Sequence, residues 1–117
     1  MKAIATLLAI GGGLTISSPG ALIITGVFDG PLPGGDPKGI ELFATSDVAD
    51  LSQFAVGVAN NGGGTDGVES ILPSQALAAG SFFLVTTELD DATQWFGIEP
   101  GHLAGNGINH NGDDAIE

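Results

Sequence analysis

Glycine is the residue that most constrains the fold of this chain, because 20 of the 117 residues are Gly. A Gly inside a helix costs about 1 kcal/mol relative to Ala, so a chain punctuated this often is poorly suited to long helices. The apolar runs between the glycines are short, and several of them alternate apolar and polar residues with the period of a half-buried strand. The sequence therefore predicts an all-β fold of short strands joined by many turns.

Charge and cysteine content exclude several classes of function. The formal net charge is -12, from 14 acidic residues and two lysines, and the chain has no Cys. Nucleic-acid binding depends on Lys and Arg that neutralise phosphates, so we expect no direct nucleic-acid binding. Without Cys, neither disulfides nor thiolate metal sites can form. An acidic surface of this kind is typical of a soluble exported protein or of a protein that meets divalent cations.

The amino-terminal 20 residues have the pattern of a secretory signal peptide. Met1 and Lys2 give a positive start, residues 3–16 are mainly apolar, and small residues follow up to Gly20. Three consecutive glycines and a short apolar length argue against a membrane anchor, which needs about 20 apolar residues. We therefore expect cleavage after Gly20, a secreted or cell-surface location, and no membrane span in the mature segment, residues 21–117.

The mature segment contains five runs that predict strands. They cover residues 22–28, 38–44, 53–59, 68–72 and 81–87. The last run is the most apolar and is expected near the centre of a sheet. Residues 29–37 and 60–67 are rich in Gly, Pro, Asn and Asp, which predicts a long loop and a surface loop. Leu51 is expected to be buried within the polar turn that precedes the third strand.

One short helix is predicted at residues 88–97. Acidic residues fill its first turn, where the helix dipole favours them, and Gly97 is suited to end it. Leu89, Ala92, Trp95 and Phe96 fall on one face at helical spacing. Trp95 and Phe96 are therefore expected to be core residues that cover one end of the fold.

A polar turn near the end of the chain is the one candidate metal site. Asn109, Asn111, Asp113 and Asp114 offer oxygen ligands of the kind that calcium takes, although the spacing differs from an EF-hand loop. The alternative is a turn in which these side chains bond their own backbone. Residues 61–66 resemble one copy of a Gly-Gly-x-Gly-x-Asp calcium repeat, but a single copy gives half a site, so a flexible loop is the preferred interpretation.

No set of residues predicts a catalytic site, so the segment is not expected to be an enzyme. His102 and His110 are the two histidines, and no Ser has the sequence context of a nucleophile elbow. Both histidines are interpreted as loop residues, with His110 a further candidate ligand beside the calcium turn. Glu41 is expected to face solvent, since it alternates with Ile40 and Leu42, and a hydrogen bond to the neighbouring loop is the alternative.

The order of several short motifs resembles the lamin-tail domain of bacterial secreted proteins. The motifs are an opening strand at residues 22–25, a strand with Glu41 at residues 39–43, Asp-Leu-Ser within residues 48–52, Leu-x-x-Gly-x before an apolar strand at residues 77–85, and Asn-Gly-Asp-Asp-Ala-Ile-Glu at residues 111–117. The resemblance covers nearly all of residues 22–117. It implies an immunoglobulin-like β-sandwich, with one short helix, that is incomplete at its carboxyl end. The final strand looks too short to pair usefully, so we interpret the chain as an amino-terminal piece of a larger protein.

What the resemblance implies about function is a non-catalytic accessory, binding or spacer module of an exported protein. Such modules often lie beside extracellular endonucleases, so a secreted nuclease or phosphatase with its catalytic domain downstream is one alternative. A calcium-binding surface or adhesion protein is another. The expected partner is a protein or a surface of unknown identity, and the chain is expected to be a monomer or to associate through an exposed edge strand.

Overall fold

The structure is a computed structural model that describes residues 21–65 and 67–117. The predicted signal peptide lies outside the described residues. The described part is mostly β-sheet with one short helix, as predicted. Its strands are β1 (Leu22–Leu32), β2 (Asp36–Ala44), β3 (Ala55–Val56), β4 (Val58–Ala59), β5 (Ser70–Ile71), β6 (Phe82–Thr86), β7 (His102–Leu103) and β8 (Ala115–Ile116), with helix α1 at Leu89–Phe96 and short 3-10 helices at Leu51–Gln53, Asn60–Gly62 and Gly105–Ile108.

The strands form one large sheet and two small ones, all of them open. The large sheet has the order β1-β2-β6-β7, while β3 pairs with β5 and β4 pairs with β8. All pairs are antiparallel except β6 and β7, which run parallel. The position of β6 between β2 and β7 confirms that the most apolar strand lies inside the sheet. Among the described residues, no helix is long and apolar enough to cross a membrane.

The core lies on one face of the large sheet, which we call the inner face. Ile40 of β2 and Val85 of β6 are opposite each other there, and both are fully buried. Leu42 and Phe83 form the next pair on the same face. The small sheets and the turns cover this face with buried apolar side chains, namely Val48, Leu51, Val56, Val58, Leu72 and Ile108. The burial of Leu51 confirms the prediction for that residue.

The first connection is a hairpin, and the prediction of a long loop at residues 29–37 is wrong. β1 continues to Leu32, and Asp29 and Leu32 pair with Lys38 and Asp36 of β2. Positive φ angles of 98° at Gly34 and 84° at Gly35 allow the chain to reverse in a few residues. Turn-forming residues thus suggested a loop, but the cross-strand pairing extends through most of them.

Two further strand predictions are corrected around Gly57. The predicted strand at residues 53–59 divides into β3, which pairs with β5, and β4, which pairs with β8, and between them the amide and carbonyl of Gly57 bond the backbone of Glu117 at 2.8 and 3.0 Å. The same contact overturns the prediction that the terminal strand is too short to pair. β8 pairs with β4, where Val58 is opposite Ile116. A short strand can pair here because the neighbouring loops and turns already hold both segments in place.

Helix α1 is confirmed, but its predicted role in the core is wrong. Gly97 ends the helix with φ 68° and donates its amide to the carbonyl of Thr93, as expected for a Gly cap. Ala92 is the buried residue of the helix, whereas Trp95 and Phe96 are 54% and 47% exposed. The helix lies on the outer face of the large sheet with little above it, so its aromatic side chains border solvent.

Candidate functional site

The predicted calcium turn is held by hydrogen bonds from backbone amides to Asp114. One carboxylate oxygen, Oδ1, accepts from the amide of Asn61 at 2.8 Å, and Oδ2 accepts from the amide of Asn111 at 2.7 Å. These two bonds lower the pKa of Asp114, because they favour its charged form. The bond to Asn111 is the local side-chain-to-backbone arrangement that the sequence offered as the alternative to calcium.

The structure brings together the two loops that resemble calcium-binding sequences, through the bond from Asn61 to Asp114. Asn109 lies elsewhere on the turn and lines a polar cavity of about 320 Å³ together with Asp36 and Glu88. Within the described part of the chain, no three His, Asp or Glu side chains are grouped to hold a metal ion. Calcium binding by Asn109, Asn111, Asp113 and Asp114 stays a prediction, which calorimetry with calcium and with chelator can test.

A buried ion pair lies beside this turn, at the end of the inner face. Lys38 is 3% exposed, and its Nζ donates to Asp29 Oδ1 at 2.9 Å and to the carbonyl of His110 at 2.6 Å. His110 is also buried, and its Nδ1 lies 3.4 Å from the same oxygen of Asp29. Because Lys38 binds the hairpin and the terminal turn at once, it ties the two ends of the described chain together.

The position of Lys38 could not be found from sequence. A lysine at the start of an alternating strand looks solvent-exposed, and no spacing links it to His110, which lies 72 residues later. The prediction that His110 is an ordinary loop residue is incomplete, since its ring is buried against Asp29. The chemistry of the cluster is structural: it compensates one buried cation inside an acidic protein.

A serine and a histidine meet at the edge of the large sheet formed by β7. Ser70 Oγ and His102 Nε2 are 2.9 Å apart, and burial lowers the pKa of His102. His102 lies in β7, so its interpretation as a loop residue is wrong. The contact links β5 to the outermost strand of the large sheet. Sequence analysis missed it because the two residues are 32 positions apart and neither belongs to a recognisable motif.

An aromatic pocket on the outer face was not predicted. It has a volume of about 270 Å³ and is lined by Phe28, Asp29, Gly30, Pro31, Pro37, Trp95 and Phe96. The rings of Phe28 and Phe96 meet edge to face, with centroids 4.7 Å apart and planes inclined by 60°. Three of the seven aromatic residues in the chain therefore lie around one small opening.

Local sequence explains why this aromatic pocket forms. Phe28 lies directly over Gly39 of β2, where an added Cβ would come within 2.1 Å of the ring. Gly39 therefore leaves the space that Phe28 occupies beneath α1. Pro31 and Pro37 have fixed φ angles and make rigid walls. The alternation that placed Phe28 on a strand was visible in the sequence, but its partner Phe96 depends on where α1 packs.

A second apolar feature crosses the open end of the outer face. Ile23, Phe43 and Phe82 are aligned in register on β1, β2 and β6, and we call them the apolar row. The rings of Phe43 and Phe82 are 5.0 Å apart, and Phe82 is 60% exposed. Glu41 lies beside the row on the same face and accepts a hydrogen bond from Thr25 Oγ1 at 2.8 Å.

Comparisons with known proteins give no family for this chain. A scan against models of protein families found no match, and searches of curated proteins and of solved structures found none either.

Proposed function

We propose that this chain is an exported, non-catalytic accessory module that holds a partner or a surface through the outer face of its large sheet. The lamin-tail resemblance in the motif order and the export signal in residues 1–20 support the proposal. We also propose that the fold is an immunoglobulin-like β-sandwich. The open sheets and the coverage of the inner face by β3 to β5 are consistent with such a sandwich.

The observation that carries the proposal is the aromatic pocket. Solvent-exposed aromatic side chains grouped around a concave opening are typical of binding sites, because a monomeric soluble protein rarely leaves such groups uncovered. Trp95 is 54% exposed although it has an apolar neighbour in Phe96. Packing of the inner core does not need these side chains, so their placement fits a binding role.

The proposal can be tested with a reporter that folds after export. Residues 1–117 are fused to the reporter in a bacterial host, and the reporter is measured in the cells, on the cell surface and in the medium. We expect an exported fusion whose mass corresponds to cleavage after Gly20, and surface retention above that of the reporter with the signal peptide alone.

A matched pair of variants links retention to the aromatic pocket. Trp95→Ser should reduce surface retention to the level of the reporter alone, while Phe82→Ser, which changes an equally exposed aromatic outside the pocket, should leave it unchanged. A fusion that stays in the cytoplasm would contradict export. Retention that is the same for wild type and Trp95→Ser would contradict a binding role for the pocket.

A further inference from the structure

We propose that the aromatic pocket binds the cationic head group of an arginine or lysine side chain on a basic segment of a partner protein. This inference rests on the proposed function, because it names the chemistry of the partner that the outer face would hold. The pocket, the charge around it and the burial of the nearest lysine each support it.

The lining of the pocket is most favourable for a guanidinium group, which is more weakly hydrated than an ammonium group. A guanidinium or ammonium group is attracted to the face of an aromatic ring within about 6 Å, and Trp gives the strongest attraction. Trp95, Phe28 and Phe96 supply three rings around a volume of about 270 Å³. That volume is at the small end for a ligand pocket, so it suits one head group with part of its alkyl chain.

Acidic residues lie beside the pocket. Asp29 is part of the pocket lining, although its carboxylate bonds Lys38 at the end of the inner face. Asp91 precedes Trp95 by four residues on α1, which places both on the same side of the helix. The attraction from Asp91 adds to the attraction from the rings, since opposite charges near a protein surface retain some interaction at moderate salt.

The charge of the whole chain also favours a basic partner. All 14 acidic residues fall within residues 21–117, and Lys38 is the one Lys or Arg in that range. The ammonium of Lys38 is buried and bonded to Asp29 and to the His110 carbonyl, so it presents no competing charge at the surface. An acidic protein with its lysine withdrawn attracts cationic segments over a distance and repels anionic ones.

Trp95 provides a direct signal for the test, because it is the single tryptophan of the sequence. The purified chain is titrated with the peptide Gly-Arg-Gly-Arg-Gly while Trp95 fluorescence is recorded, and the same titration is followed by calorimetry. The matched peptide carries citrulline in place of arginine, which keeps the shape and removes the charge. We expect saturable binding of the arginine peptide and binding of the citrulline peptide that is at least tenfold weaker.

Variants in matched pairs then locate the site. By calorimetry, Trp95→Leu should weaken binding of the arginine peptide about tenfold, whereas Phe82→Leu should not change it. Asp91→Asn should weaken binding and its dependence on salt, whereas Asp113→Asn, in the terminal turn, should leave both unchanged. Circular dichroism of each variant confirms that the sheet is intact, so that a loss of binding is not a loss of folding.

Three results would overturn the inference: equal binding of the arginine and citrulline peptides, equal effects of Trp95→Leu and Phe82→Leu, or no binding of either peptide. A choline titration separates peptide recognition from capture of any organic cation, and choline binding as tight as that of arginine would overturn the assignment to a basic segment. If surface retention depends on Trp95 while no arginine peptide binds, the assignment of a cationic ligand is wrong, and the proposed function as a binding module is unaffected. If the peptide binds but the exported fusion is not retained, the proposed function fails.

Discussion

Both faces of the large sheet carry apolar side chains, but many of these are buried on the inner face and exposed on the outer face. On the inner face, Ile40 and Val85 are fully buried and Leu42 is 4% exposed. On the outer face, Phe82 is 60% exposed and Ile23 is 48% exposed, although both belong to the same strands or their direct neighbours. In an antiparallel sheet with one packed face, the other face is normally polar. The outer face of this sheet departs from that rule.

The difference comes from what lies over each face. The small sheets and the turns after β2 and β5 supply an apolar layer over the inner face of β2 and β6, whereas Ile24 and Val27 of β1, on the same face, are 42% and 49% exposed. Helix α1 has eight residues and covers the part of the outer face near Phe28 and Gly39, while the apolar row lies at the other end. The buried side chains of the inner face are therefore explained by folding, whereas the exposed aromatic side chains of the pocket are explained better by binding.

The largest expected effect is a difference in the free energy of unfolding between a variant of the inner face and a variant of the outer face. Ile40→Ala should lower the free energy of unfolding by about 2 to 5 kcal/mol, because it leaves a cavity in a fully packed site. Phe82→Ala should cost about 1 kcal/mol, the value of its ring contact with Phe43. Urea denaturation followed by circular dichroism measures both. Equal losses would show that the outer face is as much a part of the core as the inner face.

The buried lysine gives the next largest effect. Lys38→Met keeps the length of the side chain but removes the donor to Asp29 and to the His110 carbonyl, so we expect a loss of about 1 to 3 kcal/mol in the free energy of unfolding. Asp29→Asn should cost at least as much as Lys38→Met, because it leaves the buried Lys38 ammonium without its carboxylate partner, whereas Lys38→Met removes the buried charge itself. A Lys38→Met variant as stable as wild type would show that the cluster does not hold the two ends of the chain together.

Local patterns predicted two central strands and the helix well. Alternation identified β2, a run of apolar residues identified β6, and the acidic first turn with a terminal Gly identified α1. These features depend on residues within one element, so they can be read from neighbouring positions. The same local signals missed the hairpin, because Gly and Pro in residues 29–37 are compatible with both a long loop and a hairpin turn. The pairing of Asp29 with Lys38 distinguishes the two, and it is seen only in the structure.

The candidate sites are built by contacts between residues that are distant in sequence. These contacts could not be predicted from the sequence. The aromatic pocket needs Phe28 and Phe96, which are brought together by the packing of α1 on the sheet. Helical spacing correctly grouped Trp95 with Phe96, but it cannot tell whether that face meets a core or solvent. The polar turn at residues 109–114 was predicted as a turn, while its hydrogen bond to Asn61 joins residues that lie 53 positions apart.

Gly39→Ala should disturb the aromatic pocket of the outer face at a small cost in the free energy of unfolding. The added methyl group would lie 2.1 Å from the ring of Phe28, whose ring atoms can move away more easily than backbone. We expect a loss of about 1 kcal/mol in the free energy of unfolding, at the low end of overpacking costs, together with a clear loss of arginine-peptide binding. The matched control is Ala55→Gly in β3, which changes one methyl group far from the pocket. Unchanged peptide binding in Gly39→Ala would show that the position of Phe28 is not needed.

The smallest expected effect concerns acid and the terminal turn, which belongs to neither face. The pKa of Asp114 is lowered from its ordinary value of 3.8 by the amides of Asn61 and Asn111, so its contribution to stability is present above that value. It is lost as the pH falls through the lower pKa of the folded state, because the unfolded chain then binds the proton first. Urea denaturation at about pH 5 and about pH 3 should show a smaller acid-dependent loss for Asp114→Asn than for wild type. Asp113→Asn is the matched control and should behave as wild type, since Asp113 is exposed on the same turn. An acid-dependent loss in Asp114→Asn equal to that of wild type would show that the two amide bonds do not stabilise the folded chain.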